Sequence, residues 1–434
     1  MMESRDREES KPGSDGGRDV RRSARNRPQR DSTGRDKREV NRETGAELEL
    51  RVARLEFAEG AFSRLRVPAR AEEATPGRDV LTDLDILAID VDPRLRITWS
   101  TVECKGEKGE AKEVDRLFSL AGLRQYLGVQ RAVLVRPTVS RRGRALARRL
   151  DIGIMDIPTL QRREAAHAWL PETFAHLGGA ACLEAEAKTD TQLKGLPELP
   201  TEVVAFLRYD ALLASPNAIL GALGNLGRAV DRRGILPHPA GHILASHALI
   251  ALLLAALQDA AQLDLVPADV LRQRTERALT TGSPDDDILA VLDRADELVR
   301  FLLDRVHRAY TSSGAARQDV PQLKLREIIE TPPTFLDSYL DLVERLRGNP
   351  AVSRNILQTA ELTCFEALVD GEAWREPAFD HLFTAEHQGL LLAAIATLGQ
   401  VANEPLAQQL SPIAHIAFDR SAAAIPNRRQ PGAR

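Results

Sequence analysis

The chain has 434 residues, more than one ordinary domain needs, and this length predicts two or three domains. Hydrophobic residues make up 43% of the chain but aromatic residues only 4%, so the core is expected to consist mainly of Ala, Leu, Val and Ile and to favour helix. A formal net charge of −4 excludes a globally basic nucleic-acid-binding protein and confines any polyanion-binding surface to a local patch.

The compartment follows from what the chain lacks. Three scattered cysteines are too few for a disulfide framework or a thiolate zinc site, which indicates a reducing environment. The first residues are charged and lack the apolar core of a signal peptide. The uncharged apolar run 243–257 is shorter than a membrane span requires and is predicted to be a buried helix. A cytoplasmic protein without membrane contact is expected.

Composition shifts divide the chain into five segments. Residues 1–43 are charged and nearly free of large apolar side chains, so a disordered arm is predicted, either a solvated tail or an arginine-rich arm that contacts phosphates. An α/β domain is predicted over 44–165, a linker over 166–200, an all-helical domain over 201–424 and a basic tail over 425–434.

The α/β segment predicts a specific order of elements, α-β-β-α-β-α-β. Its first two strands, on either side of the turn Asp92-Pro93-Arg94, form a β-hairpin. The predicted elements are a helix over 45–57, strands over 83–91 and 95–104, a helix over 110–127, a strand over 132–135, a basic helix over 140–150 and a strand over 152–155.

Three charged residues fall at the ends of the hairpin strands. Asp85 opens the first strand, and Glu103 and Lys105 lie near the end of the second. Because side chains alternate along a strand, residues 103 and 105 are expected on one face with Cys104 pointing away. Carboxylates bind hard cations such as Mg²⁺, and a nearby ammonium can stabilise developing negative charge. These residue types suit the hydrolysis of phosphodiesters.

The segments Asp85-Ile-Leu-Ala and Val102-Glu-Cys-Lys105 resemble the D…(D/E)-x-K signature of the PD-(D/E)xK, or restriction-endonuclease-like, superfamily. The resemblance covers residues 44–160 and implies a mixed central sheet flanked by helices. It implies that Asp85 and Glu103 bind Mg²⁺ or Mn²⁺, with the Cys104 backbone carbonyl as a further ligand. Glu49, from the preceding helix, would reach the metal directly or through water, and Lys105 would face the attacking water and the phosphate.

The chain departs from the family pattern in having no proline before the catalytic aspartate. Asp83 competes with Asp85 for the same role, and family usage favours the acid directly before the apolar strand. The alternative is that Glu103 and Lys105 form only a solvated pair on an exposed face.

Basic residues near this site are candidates for phosphate contacts. Lys108 and Lys112 follow the hairpin directly. Seven arginines occur between residues 131 and 150 without an intervening acid, and the basic helix could contact phosphates, lie in solvent, or pair with an acidic surface of the helical domain. The candidates on that helix are Arg141, Arg142, Arg144 and Arg148, and the run also includes Arg131, Arg136 and Arg149.

Three histidines, His238, His242 and His247, fall close together at the start of the helical domain. The spacing of the first two could bind a metal, but Pro239-Ala-Gly lies between them and argues against one continuous helix. A polar turn that leads into a buried helix is the favoured interpretation.

The sequence therefore predicts a metal-dependent endonuclease, with DNA favoured over RNA because most of the resembled family acts on DNA. Restriction or other defence, repair and recombination are open. The helical domain could recognise the substrate, form a homodimer or dock a protein partner. The alternative is a catalytically silent nucleic-acid-binding or protein-interaction module on the same fold.

Overall fold

The computed structural model describes residues 45–70, 80–106, 113–167, 170–281, 287–314 and 333–418. All of these residues belong to one compact unit. An α/β portion comes first and helices make up the remainder, as the sequence predicts. The predicted arm and tail, together with Lys108 and Lys112, lie outside the described residues.

Five strands form one mixed sheet in the order β1-β2-β3-β4-β5. The pairs β1–β2 and β2–β3 are antiparallel, and the pairs β3–β4 and β4–β5 are parallel. Parallel neighbours need a crossover, and a helix supplies each one. The elements are α1 (Gly45–Ala58), β1 (Phe62–Arg70), β2 (Val80–Val91), β3 (Ile97–Cys104), α2 (Glu113–Leu127), β4 (Arg131–Arg136), α3 (Arg141–Arg149), β5 (Gly153–Asp156) and α4 (Ile157–Glu164).

The predicted hairpin is confirmed in β2 and β3. Its turn is closed by Asp92, whose Oδ1 accepts the backbone N–H groups of Arg94 and Arg96 at 2.7 and 2.9 Å. Leu95 takes a left-handed conformation with φ 64° at this bend and is fully buried. Apolar burial thus outweighs the cost of that conformation at a residue other than glycine.

Strand β1 is absent from the predicted order, which is wrong on this point. Its sequence carries three arginines and a proline, residues that are unusual in a buried strand. Pro68 is tolerated because β1 is at the edge of the sheet. Arg64 is buried because it pairs with Glu361 of the helical portion at 2.6 Å. A partner so distant in the chain cannot be found from the local pattern.

The helical portion surrounds one central apolar helix, α8. It is buried along nearly its whole length, as predicted for the run 243–257. Among the described residues it is the one helix long and apolar enough to cross a membrane, and its most apolar window is wholly enclosed by protein. The helices are α5 (Ala180–Leu193), α6 (Thr201–Arg208), α7 (Pro216–Arg233), α8 (Ala240–Gln262), α9 (Ala268–Thr281), α10 (Asp287–Ser312), α11 (Leu336–Gly348), α12 (Pro350–Ser353), α13 (Ile356–Phe365), α14 (Ala385–Val401) and α15 (Glu404–Gln408), with 3₁₀ turns at Asp210–Leu212, Ala367–Val369, Ala373–Arg375, Pro377–Leu382 and Ser411–His415.

The segment 166–200, predicted as a linker, instead contains helix α5. Cys182, Ala185 and Thr189 are buried on one face of this helix, so the segment is part of the packed interior. The α/β and helical portions share one hydrophobic core. Polar bonds also join them: Trp99 Nε1 donates to the Leu212 carbonyl at 2.8 Å and Gln358 Nε2 to that of Phe57 at 2.7 Å.

The two faces of the sheet belong to different cores. Val133 and Val135 of β4 face the large shared core, whereas Ala132 and Leu134 face a small core formed with α2 and α3. This alternation follows from the period of two along a strand. It fixes which face each residue of the neighbouring β3 presents, and therefore where Glu103 projects.

The buried contact between Asp259 of α8 and Tyr339 of α11 generates a pH prediction. Tyr339 donates its hydroxyl to Asp259 Oδ2 at 2.6 Å, and burial raises the pKa of Asp259 from 3.8 to about 6. The folded protein therefore binds more protons than the unfolded chain between these pH values, so the free energy of unfolding falls as pH rises from about 4 to 6, by ~3 kcal/mol in total.

We expect Asp259→Asn to remove that fall, because the amide keeps an oxygen for Tyr339 and carries no charge. Denaturant unfolding of both proteins between pH 4 and 8 measures it. Asp337→Asn, at an exposed carboxylate on α11, is the matched control. Parallel pH profiles for Asp259→Asn and the wild type would show the prediction to be wrong.

Candidate active site

Asp85, Glu103 and Lys105 come together where β2 and β3 separate. Backbone pairing between these strands ends at Ile86 and Val102. Beyond that point, the N–H of Cys104 donates to Asp85 Oδ2 at 2.8 Å. The Asp85 carboxylate thus lies between the separated strands. It accepts a backbone N–H that has no partner in the β2–β3 pairing.

Lys105 joins the two carboxylates. Its Nζ lies 2.8 Å from Asp85 Oδ2 and 2.8 Å from Glu103 Oε1. Its backbone N–H donates to the Val135 carbonyl at 3.0 Å, which extends the β3–β4 ladder and fixes the start of this side chain. Partial burial by itself would lower the pKa of Lys105, but its hydrogen bonds and ion pairs with both carboxylates raise it. The ammonium form is therefore strongly favoured.

Glu49 lies beside this group on α1. The neighbouring Leu48 and Val52 are buried one turn apart and set the rotation of the helix. The Glu49 side chain is 15% exposed, and its Oε2 is 3.5 Å from Arg66 Nε. Burial raises the pKa of Glu49, and the charge of Asp85 raises it further. Two carboxylates thus repel one another across the site.

Arg66 is a site residue that the sequence reasoning missed. It stands opposite Asp85, between the pairs Leu65–Ile86 and Val67–Leu84, in a left-handed conformation with φ 53°. Such a conformation costs free energy in a residue other than glycine, and such residues cluster at functional sites. The signal that could have revealed this strand is the alternation of apolar residues 65, 67 and 69.

Asp83, the competitor for the role of Asp85, is exposed and lies opposite Pro68 near the sheet margin. Asp85, by contrast, accepts a hydrogen bond from Lys105 Nζ at 2.8 Å. The arrangement therefore agrees with the preference for the acid directly before the apolar strand.

Cys104 contributes through its backbone. Its side chain is 1% exposed and packs in the large core, and burial raises the pKa of the thiol far above its usual range. Since the N–H and C=O of a strand residue point to the same neighbouring strand, the Cys104 carbonyl is on the Asp85 side, where its N–H is bonded.

The charges of this group suit a divalent cation. Asp85 and Glu103 share the ammonium of Lys105, and Glu49 is paired with Arg66 at the margin of the site, so three carboxylates face two cations. Carboxylate and carbonyl oxygens are the ligands that Mg²⁺ and Mn²⁺ prefer. The residues present therefore fit the metal that the sequence resemblance implies.

The predicted basic helix is α3, and its two ends differ. Ser140 caps it by accepting the N–H of Gly143, and Arg141 and Arg142 are exposed in its first turn. Because β3 and β4 are parallel, the loop that leads from β4 into α3 leaves the same sheet edge at which Lys105 lies. Arg148 lies near the other end of α3, about 10 Å along the helix axis from Arg141.

Besides Arg131, which lies 3.8 Å from Glu56, two arginines of the predicted basic run have acidic partners. Arg136 is 2% exposed and pairs with buried Glu113 at 3.0 Å, so the interpretation of Arg136 as a surface phosphate contact is wrong. Glu113 also accepts the Ser140 hydroxyl at 2.6 Å. Arg144 pairs with Asp156 at 2.7 Å. The sequence could not reveal these partners because both carboxylates are distant along the chain.

The three histidines of the helical portion do not form the group that their spacing in the sequence suggests. Helix α8 begins at Ala240, after His238, so His238 and His242 are not on one helix. Their rings are 6.0 Å apart. His247 instead contacts Glu186 of α5.

Comparison with models of protein families, with curated proteins and with solved structures found no match for this chain.

Repulsion between the carboxylates of Glu49 and Asp85 is expected to destabilise the metal-free protein, and the same two carboxylates are expected to bind the metal. We expect Glu49→Gln to raise Tm by about 1–2 °C in metal-free buffer near pH 7, because it relieves repulsion with Asp85. It should also reduce the rise in Tm that excess Mg²⁺ or Mn²⁺ gives the wild type. Differential scanning fluorimetry measures both effects.

Asp83→Asn is the control for this experiment, since Asp83 is an exposed carboxylate on the same strand as Asp85. It should leave both Tm values unchanged. If it abolished the metal response while Glu49→Gln did not, the assignment of the metal ligands would have to move to Asp83.

Proposed function

We propose that this protein is a divalent-metal-dependent endonuclease of the PD-(D/E)xK type that hydrolyses phosphodiester bonds of DNA. The observation that carries the proposal is the ammonium of Lys105 bonded to both Asp85 and Glu103 at the separated ends of two strands. A solvated surface pair explains neither the third carboxylate, Glu49, nor the strained residue opposite Asp85.

Each residue has a role in this proposal. Asp85, Glu103 and the Cys104 carbonyl would hold Mg²⁺ or Mn²⁺, with Glu49 as a direct or water-mediated ligand. The bound cation supplies activation of water and neutralises charge on the phosphate. Lys105, held by the ladder at its backbone, would place its ammonium against the attacking water and the scissile phosphate. Restriction, other defence, repair and recombination are all open as the process that this activity would serve.

Substrate class follows from the charges on α3. Exposed Arg141 and Arg142 at the sheet edge that carries Lys105 support contacts with a phosphodiester backbone. An aromatic content of only 4% offers little for the base stacking by which single-stranded RNA is recognised. These two features favour duplex DNA.

The proposal is tested by incubating plasmid, linear duplex, single-stranded DNA and RNA with the protein in Mg²⁺, Mn²⁺ or EDTA. We expect cleavage of DNA only with a divalent metal, and a loss of at least about 100-fold in Lys105→Ala, because the charge facing the phosphate is removed. Lys188→Ala, at an exposed lysine paired with Glu184, is the matched control and should cut normally.

Metal-independent cutting, or equal cutting by Lys105→Ala and the control, would contradict the proposed site. Binding of DNA by the wild type without cleavage in any metal would instead support the alternative, a nucleic-acid-binding module on the same fold. A gel-shift measurement in parallel with the cleavage assay separates these outcomes.

The two ends of α3 give an independent prediction. We expect Arg141→Ala/Arg142→Ala to weaken DNA binding and to lower the slope of log Kd against log salt by about 2, one for each lost phosphate contact. Arg148→Ala/Arg149→Ala removes the same charge at the other end of the helix. Equal effects of the two double substitutions, measured by fluorescence anisotropy at several salt concentrations, would show that only the net charge matters.

A further inference from the structure

A second cluster of ligand-type side chains lies in the helical portion and takes no part in the proposed nuclease site. It consists of His176, in the turn before α5, Glu186 on α5 and His247 on α8. Glu186 Oε1 is 2.7 Å from His247 Nε2 and 3.2 Å from His176 Nε2. The candidate ligand atoms of all three residues lie within 4.8 Å of one another.

The turn that carries His176 is held rigidly. Phe174 and Leu177 exchange backbone hydrogen bonds at 3.2 and 2.8 Å across it. The backbone N–H of Ala175 donates to Glu366 at 2.6 Å, and that of His176 to Glu361 at 3.2 Å. The His176 ring is thereby fixed relative to α13 before any ligand binds.

Two of the atoms that point away from the cluster, one on His176 and one on Glu186, are each held by an outer partner. Nδ1 of His176 is 2.7 Å from Glu361, which pairs in turn with Arg64 at 2.6 Å. The second oxygen of Glu186 is 2.8 Å from Arg208 Nη2. A carboxylate on the free nitrogen of a histidine is the usual outer partner in metal sites, where it fixes the tautomer and the ring orientation.

The cluster is shielded but not sealed. The Phe365 ring packs on both imidazoles, with centroids at 4.2 Å from His176 and 4.7 Å from His247. The side chain of His247 is 5% exposed, and those of His176 and Glu186 are each 18% exposed. An ion could enter from the His176 side and would then be largely protected from water.

We propose that His176, Glu186 and His247 bind a zinc ion that fastens the turn before α5 to the central helix α8. Tetrahedral zinc with bonds of about 2.0–2.1 Å needs ligand atoms about 3.3 Å apart. Glu186 Oε1 lies 2.7 and 3.2 Å from the two imidazole nitrogens, so small movements of these side chains bring the ligands to that spacing. These three protein ligands leave the fourth position of a tetrahedral site for a water molecule. Imidazole nitrogens favour zinc over the hard cations that suit a carboxylate site.

The competing explanation is a hydrogen-bonded network without a metal, in which Glu186 accepts from both imidazoles. The two explanations differ in what the whole protein contains and in what stabilises it. Neither depends on nuclease activity, so the test can succeed or fail independently of the proposed function.

The test is elemental analysis of the purified full chain after exposure to Zn²⁺ and removal of excess metal. We expect one zinc per chain, a Tm that falls by about 5 °C or more in a strong chelator, and recovery with Zn²⁺ but not with Mg²⁺. Substitution with Co²⁺ should give the visible absorption of a four-coordinate site, a measurement that needs no variant.

Matched variants locate the metal. His247→Gln should lose the zinc and the cobalt spectrum, whereas His242→Gln, at an equally buried histidine on α8, should keep both. Asp85→Asn should also keep both, which separates this ion from any metal at the nuclease site. Wild-type protein that takes up neither Zn²⁺ nor Co²⁺ and has a Tm indifferent to both would overturn the proposal in favour of the hydrogen-bonded network.

Discussion

The buried ion pair between Arg64 and Glu361 is the contact on which the union of sheet and helices depends. Its side chains are 6% and 2% exposed, so removing one charge would leave the other uncompensated at a cost of about 3–5 kcal/mol. The pair joins β1 to α13, and the same Glu361 holds the turn at His176. Since β1 also carries Arg66, the helical portion helps to position the strand that faces Asp85. The candidate active site therefore depends on residues near the other end of the chain.

In the candidate active site, attraction to Lys105 offsets repulsion among the carboxylates. Lys105 bonds two carboxylates and its pKa is raised, while the pKa of Glu49 is raised by burial and by Asp85. The lysine thus stabilises a group that would otherwise repel itself. Such a site is less stable than a neutral one would be, and that cost is expected where residues are arranged for function. The separation of β2 and β3 also costs stability, because the backbone hydrogen bonds between the two strands end at Ile86 and Val102. The Asp85 carboxylate takes their place beyond that point.

The sequence predicted the elements that are stabilised by residues close to them in the chain. The hairpin, the basic helix and the buried helix α8 follow from alternation, capping and apolar length, and the approach of Glu103 and Lys105 follows from strand periodicity. Strand β1 and helix α5 were missed because their polar residues are matched by distant partners. An arginine is rarely buried without a partner, and for Arg64 that partner is Glu361. The partnership of His247 with Glu186, 61 positions away, is likewise invisible to any spacing rule.

The two proposed centres differ in ligand chemistry, and that difference decides which ion each would hold. Around Lys105 the ligand atoms are oxygens, and the Glu49 and Glu103 side chains are 15% and 26% exposed, so an ion there exchanges readily with solvent. At His247 the ligands include two imidazoles, and an aromatic ring restricts access. An oxygen site that exchanges its metal suits a catalyst whose ion also contacts substrate. A nitrogen-rich, shielded site suits an ion that holds helices in place, and the two can therefore be loaded and removed separately.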